Sequence, residues 1–98
     1  MNSLVQKLSQ EIERLEGVKS RRSATKITYA HRLPFATIFI KNKLVELEFT
    51  TPSKINHARL KKVKQIKADK FSHKISLAKE EDIDPQVTGW IMIAHATN

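Results

Sequence analysis

The feature that most constrains this fold is the alternation of apolar and polar residues through the middle of the chain. In "KLVELEFT", Val45, Leu47 and Phe49 fall on one side of an extended chain and the two glutamates fall on the other. A period of two residues is typical of a β-strand with one buried face. "KITYAHRL" and "PFATIFI" precede it and are rich in β-branched and aromatic residues, and "FSHKISLA" alternates again later. The middle of the chain therefore predicts several strands.

The two ends of the chain have helical periodicity instead. Ser3 opens a capping-box pattern, and the apolar residues after it repeat every three or four positions until Gly17, which favours a left-handed stop. Near the other end, Asp84 is a favoured N-cap residue and is followed by proline, which suits the first helical position. These signals predict helices over 3–17 and 84–97.

The second predicted helix is apolar over most of its circumference. An inward stripe at helical spacing consists of Val87, Trp90, Ile91 and Ala94. Met92 and Ile93 fall outside that stripe, so this helix is either deeply buried or touches a partner. Trp90, Met92 and Ile93 are the candidate partner-binding residues.

The segments between these elements are less regular. The polar stretch "KSRRSATK" predicts a linker, and Asn42 tolerates the positive φ that a tight hairpin turn requires. Residues 59–67 fit either a short helix or a strand, because neither reading leaves a cleanly apolar face. We favour a strand, since "KADK" would close a hairpin with the alternating segment that follows. The sequence thus predicts one domain over 1–98, with a helix at 3–17, strands with a hairpin at 25–50, a basic hairpin at 59–78 and a helix at 84–97.

Positive charge is concentrated in the centre of the chain. The formal net charge is +8, but Met1–Val18 carries −1 and Ile75–Asn98 carries −3, so the segment from Lys19 to Lys74 carries +12. Such asymmetry is informative about partners rather than about fold.

Several classes of chemistry are disfavoured. There is no cysteine, and the four histidines have no metal-ligand spacing, so we expect no metal and no cofactor. With two glycines there is no phosphate-cradling loop, and no Ser, Thr or Lys has an adjacent base with an orienting group. We therefore expect a protein that is not an enzyme. No signal-peptide or membrane-spanning segment is present, so we expect a cytoplasmic protein without membrane contact.

Two kinds of function remain. The first is binding of DNA or RNA through backbone phosphates, for which the candidate residues are Arg21, Arg22, Arg59, Lys61, Lys62, Lys64, Lys67, Lys70 and Lys74. The competing interpretation of these lysines is an edge strand kept from pairing with other chains. The second is a protein-interaction or homodimerisation module that uses the apolar C-terminal helix.

The order of these segments, and the short motifs they carry, resembles the domain of unknown function 5655 family of small microbial modules. The resemblance rests on Thr25 and Lys26, Phe35 and Ala36, Phe71 with His73, Ile75 and Leu77, and then Asp82, Ile83, Asp84 and Trp90. It covers roughly residues 4–96. A more distant likeness is to the YjbR-type double-wing proteins, which share the plan of helix, sheet and terminal helices and have been proposed to bind DNA.

The resemblance implies an α+β fold with an antiparallel sheet of about four to five strands, flanked by an N-terminal and a C-terminal helix. It also favours the extended form of residues 60–66. It implies no activity, because the family is itself uncharacterised.

Overall fold

The computed structural model describes residues 2–98, and their order is helix, six strands, helix. The elements are α1 (Asn2–Glu13), β1 (Lys19–Arg22), β2 (Lys26–Ala30), β3 (Pro34–Ile40), β4 (Val45–Thr51), β5 (Leu60–Lys67), β6 (Lys70–Leu77) and α2 (Pro85–Thr97), with a 3-10 turn at Glu80–Asp82 before α2. This confirms an α+β fold with terminal helices. No helix among residues 2–98 is long and apolar enough to cross a lipid bilayer.

The strands form one antiparallel sheet in the order β1-β2-β3-β4-β6-β5. The prediction of four to five strands is wrong because β1 lies in the stretch interpreted as a linker. All four residues of β1 are exposed, so no apolar alternation marks it. Its main chain nevertheless pairs with β2 along its whole length, from Lys19 opposite Ala30 to Arg22 opposite Ile27.

Both helices pack against the same face of the sheet. Leu47 of β4 lies opposite Ile38 on one side and opposite Ile75 on the other, and all three are buried. The Trp90 ring of α2 stacks on Phe49 of this face, with 5.6 Å between ring centroids. The buried residues from α1 are Leu4, Val5, Leu8, Ser9 and Ile12, and those from α2 are Val87, Trp90, Ile91 and Ala94. We call this side the helix-covered face.

The alternate residues of the strands form the opposite side, which we call the open face because neither helix covers it. One row runs across all six strands in the order Lys62, Lys74, Glu48, Thr37, Thr28 and Arg21. The open face is thus polar, as expected of an antiparallel sheet with one solvated side.

Several local predictions are confirmed and two are wrong. The segment 60–67 is a strand, and a two-residue turn joins it to β6. Gly17 has a φ of 69°, but α1 itself ends at Glu13 rather than at residue 17. Within residues 2–98 no residue other than glycine has a positive φ, so Asn42 does not adopt the predicted turn conformation. The Lys41 N–H instead donates to the Leu44 carbonyl, at 3.0 Å.

Candidate nucleic-acid interface

The register of the β5–β6 hairpin decides where its lysines point. Two bulges in β5 each insert one residue, Lys61 and Ile66, that has no partner in β6. Because of the first bulge, Leu60 and Val63 both face the helix-covered side although they are three residues apart, opposite Ile75 and His73 respectively. Lys62, Lys64 and Lys67 are thereby collected on the open face, whereas Lys61 has no partner in the register.

Lysine side chains lie opposite one another in this hairpin. Lys62 is paired with Lys74, and Lys67 is paired with Lys70. Like charges in directly opposed positions of a sheet are destabilising. Among residues 2–98 the side-chain ion pairs within 4.0 Å are Arg14–Glu11, Lys41–Glu46 and Arg59–Asp84, so none of these four lysines is neutralised in this way.

A small hollow lies on the open face beside these lysines. It has a volume of about 140 Å³ and is lined by Glu48, Lys62, Lys64, Ser72 and Lys74. Three lysines and one glutamate therefore line this hollow, so positive charge exceeds negative charge around it. Such a surface attracts an anion, and Glu48 is the group that opposes it.

The two arginines of β1 point in opposite directions. Arg21 lies on the open face, where it lines a hollow of about 580 Å³ together with Lys19 and Lys26. Arg22 lies on the helix side and lines a space with Ser9 and Glu13 of α1. The structure therefore brings Arg21, but not Arg22, onto the face that carries the hairpin lysines.

Arg59 is engaged within the chain. Its Nη1 donates to both carboxylate oxygens of Asp84, at 3.0 and 2.9 Å, and to Gln86 Oε1 at 2.9 Å. Its Nη2 donates to the Asp82 carbonyl at 2.9 Å. We therefore leave Arg59 out of the candidate interface, although the sequence placed it there.

The three candidate partner-binding residues separate into two groups. Trp90 is only 8% exposed; its ring stacks on Phe49 and makes an edge contact with the His57 ring. Met92 and Ile93 are 58% and 46% exposed. The structure thus places Trp90 in the core and leaves only Met92 and Ile93 at the surface.

Sequence reasoning missed one residue of the open face, Phe39. It is half-buried and lies opposite Lys26 and Glu46, with polar neighbours rather than core residues. Lys74 Nζ lies 4.9 Å from the centre of the Phe39 ring, and Lys41 Nζ lies 5.9 Å from it. Parity along "PFATIFI" does not identify Phe39, because Phe35 has the same parity and is nevertheless buried, at the point where the register between β2 and β3 shifts.

His73 is a core histidine and does not belong to this interface. It is fully buried and stacks on Phe49, and its Nε2 accepts a hydrogen bond from the Ile55 N–H at 3.0 Å. Its Nδ1 is buried and has no hydrogen-bond partner within residues 2–98. Burial lowers the pKa of the His73 imidazole, so the ring is neutral.

The acidic segment before α2 has a capping role. The Asp84 carboxylate accepts the Val87 N–H at 3.1 Å, and the Asp82 carboxylate accepts the N–H groups of Ala78 and Lys79. In the part of the chain that the structure describes, no three histidine or acidic side chains cluster closely enough to hold a metal ion.

Comparison with known proteins gives one match. A protein-family model described as a domain of unknown function (DUF5655) matches residues 1–98. No curated protein and no solved structure matches the chain significantly, so the likeness to YjbR-type proteins has no support from a match.

Proposed function

The chain belongs to the DUF5655 family, whose description assigns no activity, and we propose that it is a small non-catalytic module that binds nucleic acid. The proposed contact is between backbone phosphates and the basic hairpin, which we define as Lys62, Lys64, Lys67, Lys70 and Lys74. Lysines that neutralise phosphates release counterions, which supplies affinity with little sequence preference.

The observation that carries this proposal is the pairing of Lys62 with Lys74 and of Lys67 with Lys70. Each pair costs stability in the free protein, and that repulsion is relieved when an anion lies between the two ammonium groups. Phosphate groups repeated along a polymer would contact all five lysines at once. A single small anion would contact only one pair.

Protection of a sheet edge explains only part of this surface. β5 is an edge strand, and lysines there discourage pairing with other chains. β6, however, lies between β4 and β5, so Lys70 and Lys74 protect no edge. Their position next to the β5 lysines favours a binding surface.

The test is fluorescence anisotropy with labelled RNA and DNA at about 50 and 200 mM salt. With five phosphate contacts, the affinity for a single strand should fall about 100-fold over this range. The double variant Lys62→Glu and Lys64→Glu should bind far more weakly and with a shallower salt dependence. The matched control is Lys43→Glu with Lys54→Glu, which makes the same change in net charge at two exposed lysines outside the hairpin.

The control variant should lose much less affinity than the hairpin variant. Equal losses in the two variants would mean that only the total charge matters, and the proposed surface would be wrong. Absence of binding to any nucleic acid at 50 mM salt would remove the proposal altogether.

A second candidate function is protein interaction or homodimerisation through α2. The observation that favours it is the exposure of Met92 and Ile93 on one helix, next to a groove of about 180 Å³ between α1 and α2. Apolar contact does not weaken as the salt concentration rises, which separates this function from the first. Light scattering at rising protein concentration should show a dimer that the double variant Met92→Ser and Ile93→Ser abolishes. A monomer at all concentrations contradicts homodimerisation.

A further inference from the structure

We infer that the open face of the sheet binds single-stranded nucleic acid, with an unpaired base stacked on Phe39 and phosphates held by the lysines around it. This inference rests on the proposed function and deepens it by naming the ligand and a residue that the charge pattern alone does not indicate.

Phe39 is an aromatic residue in a polar setting. Its nearest cross-strand neighbours are Lys26 and Glu46, and the helix-covered core lies on the other side of β3. A half-buried phenylalanine on a solvated sheet face does not contribute to the core that the helices cover. Base stacking on an aromatic side chain that projects from a sheet is the usual way in which β-proteins bind single strands.

A cation already stands next to the ring. Lys74 belongs to β6, yet its Nζ lies 4.9 Å from the Phe39 centroid, so its side chain reaches across β4. This is a cation–π contact, so a base that stacks on Phe39 would displace the Lys74 ammonium group from the ring and leave it beside the neighbouring phosphate. The same lysine lines the hollow that contains Lys62 and Lys64. Stacking and phosphate contacts are thereby contiguous.

The positive charge continues to the far edge of the face. Arg21, Lys19 and Lys26 line a second hollow beside β1, on the opposite side of Phe39 from the hairpin. Six strands span about 24 Å between the outermost two, at roughly 4.8 Å per strand pair. This width accommodates several nucleotides of an unpaired strand. A strand lying across the sheet would therefore meet cations at both ends and the aromatic ring between them.

The geometry favours an unpaired strand over a duplex. In a duplex both faces of each base are stacked on neighbouring base pairs, so a ring on a sheet surface gains no base contact without breaking that stack. An unpaired base offers its π-face at little cost. Double-stranded nucleic acid would use the lysines alone.

The experiment compares the Phe39→Leu variant with the wild type, using labelled ten-nucleotide RNA, the DNA of the same sequence and the matching DNA duplex. Loss of one stacked base should weaken single-strand binding by about tenfold and leave duplex binding unchanged. The matched control is Phe71→Leu, the same substitution at a half-buried phenylalanine on the helix-covered face, which should leave both affinities unchanged. Comparison of the affinities for the RNA and for the DNA of the same sequence shows whether ribose or deoxyribose is preferred.

Two further measurements do not depend on the folding of the leucine variant. RNA that carries 5-iodouracil should crosslink under ultraviolet light to the peptide that contains Phe39. Glu48→Gln, which removes the carboxylate beside Lys74, should tighten single-strand binding by about threefold, whereas Glu81→Gln, an exposed control with the same charge change, should not.

Unchanged single-strand affinity in Phe39→Leu, with a steep salt dependence retained, overturns this inference and leaves the proposed function standing. Crosslinking confined to other peptides, or tighter binding of the duplex than of the single strand, also overturns it. Absence of salt-dependent binding to all three ligands overturns both.

Discussion

Arg59 and Asp84 connect the loop before β5 to the first turn of α2, with Nη1 of the arginine 3.0 and 2.9 Å from the two carboxylate oxygens. The same carboxylate caps the helix by accepting the Val87 N–H. That backbone hydrogen bond, followed by the contact with Arg59, holds the pKa of the Asp84 carboxyl below its usual value. Asp84 thus both caps α2 and links that helix to the loop before β5.

We predict that Arg59→Met destabilises the protein without weakening nucleic-acid binding. The variant loses hydrogen bonds to Asp84, Gln86 and the Asp82 carbonyl, so the melting temperature should fall by about 5 °C. Lys62→Met provides the matched comparison and should show the reverse behaviour, with weaker binding and a slightly higher melting temperature, because it removes the repulsion from Lys74. A large loss of affinity in folded Arg59→Met would return this arginine to the interface.

The second prediction concerns stability below neutral pH. Burial lowers the pKa of the His73 imidazole, and its Nε2 accepts from the Ile55 N–H only when that nitrogen is unprotonated. Between the unfolded pKa of about 6.5 and the lower native pKa, the unfolded chain binds a proton that the native chain does not. The free energy of unfolding should therefore fall as the pH drops below 6.5, by at most about 1.4 kcal/mol per pH unit from this group.

Urea denaturation between pH 7.5 and 5 measures that slope. In His73→Gln, which retains an acceptor for Ile55 but does not titrate, the slope should be smaller by the His73 contribution. In His57→Gln, a change at an exposed histidine, that contribution should remain. Equal slopes in the wild type and His73→Gln would show that His73 titrates normally in the native state.

Much of the fold follows directly from residue patterns. The alternation around Leu47 and Ile75 places β4 and β6, and the Asp84 cap followed by Pro85 places the start of α2, because these signals act within a few residues. β1 could not be found in this way. Its exposed residues Lys19–Arg22 form a strand only because the edge of β2 offers unpaired backbone groups to them.

The candidate site was only partly predictable for a related reason. Alternation counted along 60–67 gives no clean face, because the bulge at Lys61 shifts the register, and bulge positions depend on the partner strand. The involvement of Arg59 with Asp84 joins residues that are 25 positions apart. Composition indicates that this region is basic, but only the register shows which lysines share a face.

The third prediction separates core from surface on α2. Trp90→Ala removes a buried ring that stacks on Phe49, so it should cost about 3–5 kcal/mol of the free energy of unfolding. Met92→Ala, two residues later on the exposed side, should change it by less than about 0.5 kcal/mol. Urea denaturation followed by circular dichroism gives both values. A small cost for Trp90→Ala would contradict its place in the core.

The last prediction concerns the two glycines, at which substitution by alanine should change the free energy of unfolding in opposite directions. Gly17 has a φ of 69°, and a Cβ there would lie 3.2 Å from Cδ2 of His31. Gly17→Ala should therefore lower the free energy of unfolding by about 1–2 kcal/mol. Gly89 is inside α2, and beyond its chain neighbours and the helix backbone no atom lies within 4 Å of an added Cβ, so Gly89→Ala should raise the free energy of unfolding by about 0.5–1 kcal/mol through helix propensity. Urea denaturation of the two variants measures both changes. An unchanged free energy of unfolding in Gly17→Ala would mean that residue 17 does not have a positive φ. A lower free energy of unfolding in Gly89→Ala would mean that other atoms pack against this side of α2.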